Sequence, residues 1–231
     1  GEFQITYISG STYTIVSPAA ATSGATGGGS VSAAYQINVG NASAAPSLGW
    51  GAGPWGMGVW GTGIATSQPV RLWSQANFGE DLIFGPHGKG IYIWDASGTP
   101  TTRGVLISSL VGASGVPTIQ NILAVSDASR FVFAIGANEI GTTTQNPMHV
   151  RWSSQEDFLD WTPSAVNQAG SLTLSRGSKL VAVMQARQEI LIWSDSALYS
   201  FQYVGSNIVW TSQLVGDNVS IASQNATAYA N

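Results

Sequence analysis

The sequence contains no cysteine, and this absence excludes disulfide frameworks, thiol chemistry and cysteine-based zinc sites. Charged residues are scarce as well, at 9% of the chain against roughly 25% in an ordinary globular protein. The eight Lys and Arg residues are spread out, so no basic run can neutralise several phosphates, and tight nucleic-acid binding is not expected. No apolar run approaches the ~20 residues needed to cross a bilayer.

Apolar content is ordinary by contrast, because hydrophobic residues make up 44% of the 231 residues. A chain of this length can bury a sizeable core, either as one all-β domain or as two smaller units. Normal apolar content with little charge argues against disorder. The surface must then consist of Ser, Thr, Asn, Gln and Gly, a composition typical of proteins in large assemblies.

The composition changes near residue 70, since residues 3–70 contain no Asp, Glu, Lys or Arg. We therefore predict a charge-free, Gly/Ala/Ser/Thr-rich β segment over residues 1–69 and a second region over residues 70–231. Within the first region, residues 4–8 and 12–16 predict a hairpin, and the alternation over residues 35–39 predicts a further strand.

A Gly-rich stretch over residues 49–61 carries Trp50, Trp55 and Trp60, one every five residues. A period of five fits neither a helix nor a strand, and the glycines weaken both. We predict a structured aromatic loop whose Trp rings pack between subunits, because Trp buries a large area and is favoured at interfaces. Packing within the same chain is the alternative.

From residue 70 onward, β-forming residues repeatedly precede a Trp that is followed by a small or acidic turn residue. Such strand ends are predicted at residues 70–74, 91–95, 150–153 and 190–194, and companion strands at residues 81–84, 130–135, 180–184 and 198–204. Aligned on Leu82, Phe131 and Ile190, the units repeat after 49 and 59 residues, and propeller blades repeat at about 40 to 50. The prediction is an all-β fold of antiparallel, β-propeller-like blades, with blade-core tryptophans at Trp73, Trp94, Trp152, Trp161 and Trp193. The strongest helical candidate is a short turn near residues 155–159.

Two motifs carry a family resemblance, namely RWSSQEDFLDWTP at residues 151–163 and QEILIWSDSALYSFQYVG at residues 188–205. Together with the Gly-Trp stretch, they resemble the tail nozzle proteins of podovirus-type bacteriophages, also known as tail tubular protein B or DNA-stabilisation proteins. The chain is shorter than many of these proteins. In the motifs, Asp157 and Asp160 are predicted to bond backbone amides in Asx-type turns.

The resemblance implies a β-propeller subunit of the virion tail, present as a ring of copies below the tail adaptor. Its partners would be copies of itself, other tail proteins such as the adaptor, DNA passing nearby without specific binding, and the host surface. The function implied is retention and later release of the genome. A carbohydrate-binding or host-receptor adhesin on a β scaffold is the alternative, with Trp55 or Trp60 stacking on sugar rings.

The sequence offers no constellation for catalysis, so we expect no enzyme activity, no catalytic residue, no metal and no cofactor. His87 and His149 have no carboxylate at metal-ligand spacing, and both are expected to be structural. The acidic pairs at residues 80–81 and 156–157 consist of adjacent residues, which point to opposite faces of a strand and cannot form a glycosidase dyad. A propeller hydrolase is therefore the least favoured hypothesis.

Overall fold

The computed structural model describes residues 5–9, 12–15, 72–127, 129–205 and 208–228. The chain divides into two compact units, residues 1–38 and 39–231. In the first unit, β1 (Ile5–Ser9) pairs antiparallel with β2 (Thr12–Ile15), and the register shifts at a bulge between Tyr7 and Ser9. This pairing confirms the predicted hairpin. The strand predicted at residues 35–39 lies outside the described residues.

The second unit contains three four-stranded antiparallel sheets, each of which takes its strands in chain order. Sheet I consists of β3 (Trp73–Phe78), β4 (Asp81–Pro86), β5 (Tyr92–Trp94) and β6 (Val105–Leu106). Sheet II consists of β7 (Ile122–Val125), β8 (Val132–Ile135), β9 (His149–Trp152) and β10 (Gly170–Thr173). Sheet III consists of β11 (Leu180–Gln185), β12 (Glu189–Ser194), β13 (Ala197–Tyr203) and β14 (Trp210–Asp217).

The all-β prediction is confirmed, and the described helical structure is a single 3-10 turn at Ile107–Ser109. No helix in the described part of the chain is long and apolar enough to cross a membrane. The candidate helical turn at residues 155–159 forms turns and bends instead. Its Asp157 carboxylate accepts the Leu159 backbone N–H at 2.8 Å, a local bond that competes with helix formation.

Among the predicted strands, β3 differs most from its predicted bounds, which were residues 70–74. The strand runs to Phe78 because a tight turn at Gly79 (φ +69°) lets Phe78 pair with Asp81 of β4. Glycine adopts this left-handed conformation at little cost. The turn therefore fixes the register of the whole β3–β4 hairpin.

Sheet II is buried on both faces, and alternation along β8 directs its side chains to two different cores. Val132 and Ala134 belong to the cluster shared with Ile83 and Ile93 of sheet I, whereas Phe133 and Ile135 belong to the cluster shared with sheet III. All four β8 side chains are buried. The three sheets are thus layered face to face, with sheet II in the middle.

The first strands of the three sheets lie near one another. Strand β7 contacts both β3 and β11. The same edge of each sheet therefore faces the same side of the layered unit.

Candidate functional site

A cleft of about 1000 Å³ opens beside the ends of sheets II and III. Its walls come from the β7–β8 turn, the β11–β12 turn, the facing ends of β13 and β14, and a residue that follows β9. The lining residues are Ser126, Ser129, Gln155, Gln185, Ala186, Arg187, Gln188, Glu189, Gln202, Tyr203 and Trp210. Amides and hydroxyls dominate this set, and one arginine accompanies one glutamate.

Turn hydrogen bonds hold two of these walls in place. In the β7–β8 turn, the Ser126 and Ser129 hydroxyls lie 2.8 Å apart, and the Arg130 backbone N–H donates to the Ser126 carbonyl at 2.7 Å. In the β11–β12 turn, the Ala186 N–H donates to the Glu189 carbonyl at 2.9 Å. The polar side chains therefore project from constrained turns.

Aromatic packing forms the floor of the cleft. The Trp210 indole is 5% exposed, and its ring meets Phe133 edge-on with centroids 4.9 Å apart and an interplanar angle of 84°. Phe131 makes a similar contact at 5.5 Å and 87°. Tyr203 packs on both Trp210 and Phe131, yet keeps 39% of its surface exposed. Edge-on contacts of this kind fix ring orientation.

Two buried polar atoms of the cleft residues have no hydrogen-bond partner among the residues that the structure describes. They are Nε1 of Trp210 and Oε1 of Gln185. The amide nitrogen of Gln185 donates to the Ala186 carbonyl at 2.7 Å, so its orientation is fixed while its oxygen stays free. Buried polar atoms without partners are uncommon in native proteins.

The carboxylate of the cleft, Glu189, is engaged by its neighbours. Ser200 donates its hydroxyl to Glu189 Oε2, and the Gln202 amide donates to the same oxygen at 3.4 Å. Because Glu189 is the only acid among the lining residues, the cleft does not present the carboxylate pair that glycosidic cleavage requires.

A second polar feature is the buried guanidinium of Arg151 on β9, which is 1% exposed. It donates to the backbone carbonyls of Asn138 (3.3 Å), Trp161 (3.3 Å) and Gly115. Burial lowers the pKa of Arg151 to about 10. Its described acceptors are neutral carbonyls that tie together separate connecting segments, so Arg151 stabilises the packing around sheet II.

The five predicted blade-core tryptophans occupy different environments. Trp161 is fully buried and Trp152 is 6% exposed; their indoles donate to the Phe158 and Gln168 carbonyls at 2.8 Å and 3.0 Å. Trp94 and Trp193 are half-buried, and Trp73 is 40% exposed beside Phe84. The proposed intersubunit residues Trp50, Trp55 and Trp60 lie outside the described residues.

The remaining candidate chemical groups stand apart from the cleft. The His149 imidazole Nδ1 lies 2.7 Å from the Thr173 hydroxyl, and burial lowers its pKa. Burial also lowers the pKa of His87, assisted by the nearby charge of Lys179. In the described ranges, no group of three or more His, Asp or Glu residues could hold a metal ion.

Both predicted Asx-type turns are confirmed. The Asp157 carboxylate bonds the Leu159 N–H, as described above, and Asp160 Oδ1 accepts the Thr162 N–H at 3.3 Å. Asp195 accepts the Ser178 hydroxyl on Oδ2 and the Ser178 backbone N–H on Oδ1, the latter at 2.8 Å, and these bonds lower the pKa of Asp195. These carboxylates hold turns.

The sequence alone did not identify Trp210 or the cleft whose floor it forms. The available signal was the run Ile208-Val209-Trp210, in which three apolar residues follow Gly205-Ser206-Asn207. No family model and no curated protein matches this chain.

Proposed function

We propose that this protein is a non-enzymatic structural component of a bacteriophage tail, of the nozzle type. Copies of the chain form a ring around the DNA channel, stack on other tail proteins such as the adaptor, and help to retain and then release the genome. The observation that carries this proposal is the series of three consecutive four-stranded meanders layered face to face. It supports, at the level of fold, the family resemblance of the two sequence motifs.

The layering favours a propeller-like arrangement of blades. In a propeller, each blade is a four-stranded antiparallel sheet, and the blades repeat radially around a centre. Three features fit this scheme: the strand order of each sheet, the double burial of sheet II, and the contacts of β7 with β3 and β11. Since closed propellers have about four to eight blades, the three described blades would form a sector of one.

The sector formed by the described blades has two end faces, and both carry apolar side chains. On sheet I, the residues that alternate with the core residues Ile83 and Ile93 are Leu82, Phe84, Tyr92 and Trp94, all half-buried. On sheet III, the residues that alternate with Ile190 and Ile192 are Leu191 and Trp193, also half-buried. Apolar faces of this kind mark surfaces that are covered in an assembly.

In this proposal, a second copy of the chain covers these faces. Among the described residues, sheet II packs one face on sheet I and the other face on sheet III. Sheet III of one copy meeting sheet I of the next copy would continue the same pattern. Because the two faces differ, the contact is head to tail, and head-to-tail contacts produce rings when the rotation closes.

The charge content suits a conduit for DNA. Eight Lys and Arg residues are present in 231, and one of them, Arg151, is buried with carbonyl partners. A lumen of neutral or acidic groups would let DNA slide, since phosphate contacts with cations hold DNA in place. Retention would then be mechanical.

Cryo-electron microscopy of the native particle that contains this chain tests the proposal. We expect a symmetric ring around an axial channel, with sheet III of each copy against sheet I of its neighbour. Mass photometry of the isolated chain should show the same copy number. A monomer in both measurements, or a lumen lined with Arg and Lys, would contradict the proposal.

A further inference from the structure

We propose that the cleft between the ends of sheets II and III binds a neutral oligosaccharide. This inference concerns recognition and does not rest on ring formation. It is based on the geometry of the cleft and the chemistry of its lining residues, for which the proposed structural role gives no use.

The polar lining matches sugar hydroxyls in kind. Four glutamine amides and two serine hydroxyls surround the cleft, at residues 126, 129, 155, 185, 188 and 202. Amides and hydroxyls both donate and accept hydrogen bonds, as sugar hydroxyls do. The charges of Arg187 and Glu189 balance each other, and Glu189 is already bonded to Ser200 and Gln202. The cleft therefore offers no net charge to attract an anionic or cationic ligand.

Two residues that line the cleft each have a buried polar atom. Trp210, which is 5% exposed, has a free Nε1–H donor, and Gln185 has a free Oε1 acceptor, among the described residues. Both atoms are buried, so the ligand's contacts come from the exposed side chains of Gln155, Gln188, Gln202 and Tyr203.

The Tyr203 ring supplies an apolar face. It is 39% exposed, and its packing on Trp210 and Phe131 (5.5 Å and 5.6 Å between centroids) restricts its orientation. Binding sites commonly combine aromatic walls with a few convergent polar groups. A pyranose ring presents apolar C–H groups on one side and hydroxyls around its edge, so it can contact Tyr203 and the amides together.

The test begins with a printed array of neutral glycans, followed by titration of the ¹⁵N-labelled full chain with the oligosaccharides that bind. Maltoheptaose and chitohexaose serve as neutral probes, and a sialylated oligosaccharide serves as the anionic comparison. We expect one of the nine tryptophan indole N–H signals to shift. Loss of that signal in Trp210→Phe assigns it to the indole at the floor of the cleft.

Two further variants and one control examine the walls of the cleft. Tyr203→Ala should weaken binding about tenfold or more, because truncating an aromatic anchor removes most of its contact. Gln188→Ala changes an exposed turn residue and should weaken binding a few-fold, a readout that remains if Tyr203→Ala fails to fold. Trp73→Ala is the matched control, since Trp73 is 40% exposed on sheet I, and its affinity should stay at the parent value.

Three results would overturn the proposal. They are no binding to any neutral glycan, a preference for the sialylated probe, and parent-level affinity in both folded Tyr203→Ala and Gln188→Ala. None of these results bears on whether copies form a ring, so the two proposals can fail separately.

Discussion

Arg151 Nη1 donates a hydrogen bond to the Asn138 carbonyl oxygen at 3.3 Å, although thirteen residues separate the two in sequence. Asn138 in turn accepts the backbone N–H groups of Thr118 and Ile119 on its side-chain oxygen, at 3.0 and 3.1 Å. One buried cation and one buried amide thereby connect β9 to the segments before β7 and after β8. This network therefore holds the segments that flank β7 and β8 against β9.

Replacing Arg151 should destabilise the protein strongly. Arg151→Ala leaves the buried carbonyls of Asn138 and Trp161, and the less buried carbonyl of Gly115, without their charged donor, and we expect a loss of about 3 kcal/mol in the free energy of unfolding. Arg151→Lys should also be destabilising, because an ammonium cannot reproduce the planar fork of donors. Urea denaturation measures both variants. Arg187→Ala, at an exposed position, is the control and should change stability by less than ~0.5 kcal/mol.

Close packing against Trp152 predicts that one methyl group added at residue 170 lowers the stability of the protein. Gly170 pairs with Trp152 across β10 and β9, and a Cβ at residue 170 would lie 2.7 Å from Trp152 Cε2. Gly170→Ala should therefore lower the free energy of unfolding by about 1–3 kcal/mol. Gly98→Ala is the matched control, since the nearest atom to its added Cβ is 3.5 Å away. Equal melting temperatures for the two variants would show that this contact is not tight.

The two histidines predict a stability that falls as the pH is lowered. Burial lowers the pKa of His149 and of His87 in the folded state, so the unfolded chain binds protons more readily below its own pKa of about 6.5. Stability contributed by these groups is present above that pH and declines as the pH falls toward the folded-state values. Glu139 opposes the shift at His149, and Arg151 reinforces it.

Urea melts at pH 7.5, 6 and 5 measure this dependence, conditions chosen to span the unperturbed histidine pKa of about 6.5. His149→Gln and His87→Gln should each flatten the decline, and the double variant, which contains no histidine, should remove most of it. An unchanged slope in the double variant would assign the decline to other groups.

If the apolar end faces join copies of the chain, a charge placed on one of them should weaken association between copies. Leu191→Lys places a cation on the outward face of sheet III, beside Ser200 and Met184 in register, and burying that cation against a neighbouring copy is costly. We expect association to weaken about 100-fold or more. Mass photometry across a dilution series measures this effect, with the thermal melt as a check on folding.

Val166→Asp provides the comparison for the end-face variant, because Val166 is 96% exposed in a loop. It should leave the copy number unchanged. If Leu191→Lys associates like the parent chain, a second copy does not cover this face.

Strand prediction succeeded where β-branched and aromatic residues were dense. Strands β12 and β13 match their predicted ranges within one residue, since isoleucine, leucine and tyrosine alternate there with few breaks. Strand β7 was missed although its residues Ile122–Val125 are as apolar as those of the matched strands. Strands β6, β10 and β14 were missed as well. β6 has two residues, and β10 and β14 are rich in Gly, Ser and Thr, so pairing with a neighbour decides their conformation more than local preference does.

The cleft escaped prediction for a related reason. Its residues come from separate parts of the chain, at positions 126, 129, 155, 185–189, 202, 203 and 210, and no local motif links them. The sequence identified Trp152 and Trp161 as large residues suited to packing between sheets. It could not distinguish these buried residues from Trp73, which is 40% exposed.

The sequence by itself determined the β class, the hairpin at β1 and β2, the Asx turns at Asp157 and Asp160, and the scarcity of charge. Each of these follows from local preference or from composition. Only the tertiary structure decided that β8 is buried on both faces, that Arg151 reaches three carbonyls, and that Trp210 meets Gln185 and Tyr203 at one cleft. These features depend on which sheets meet, and that is set by the summed burial of apolar faces from residues far apart in the chain.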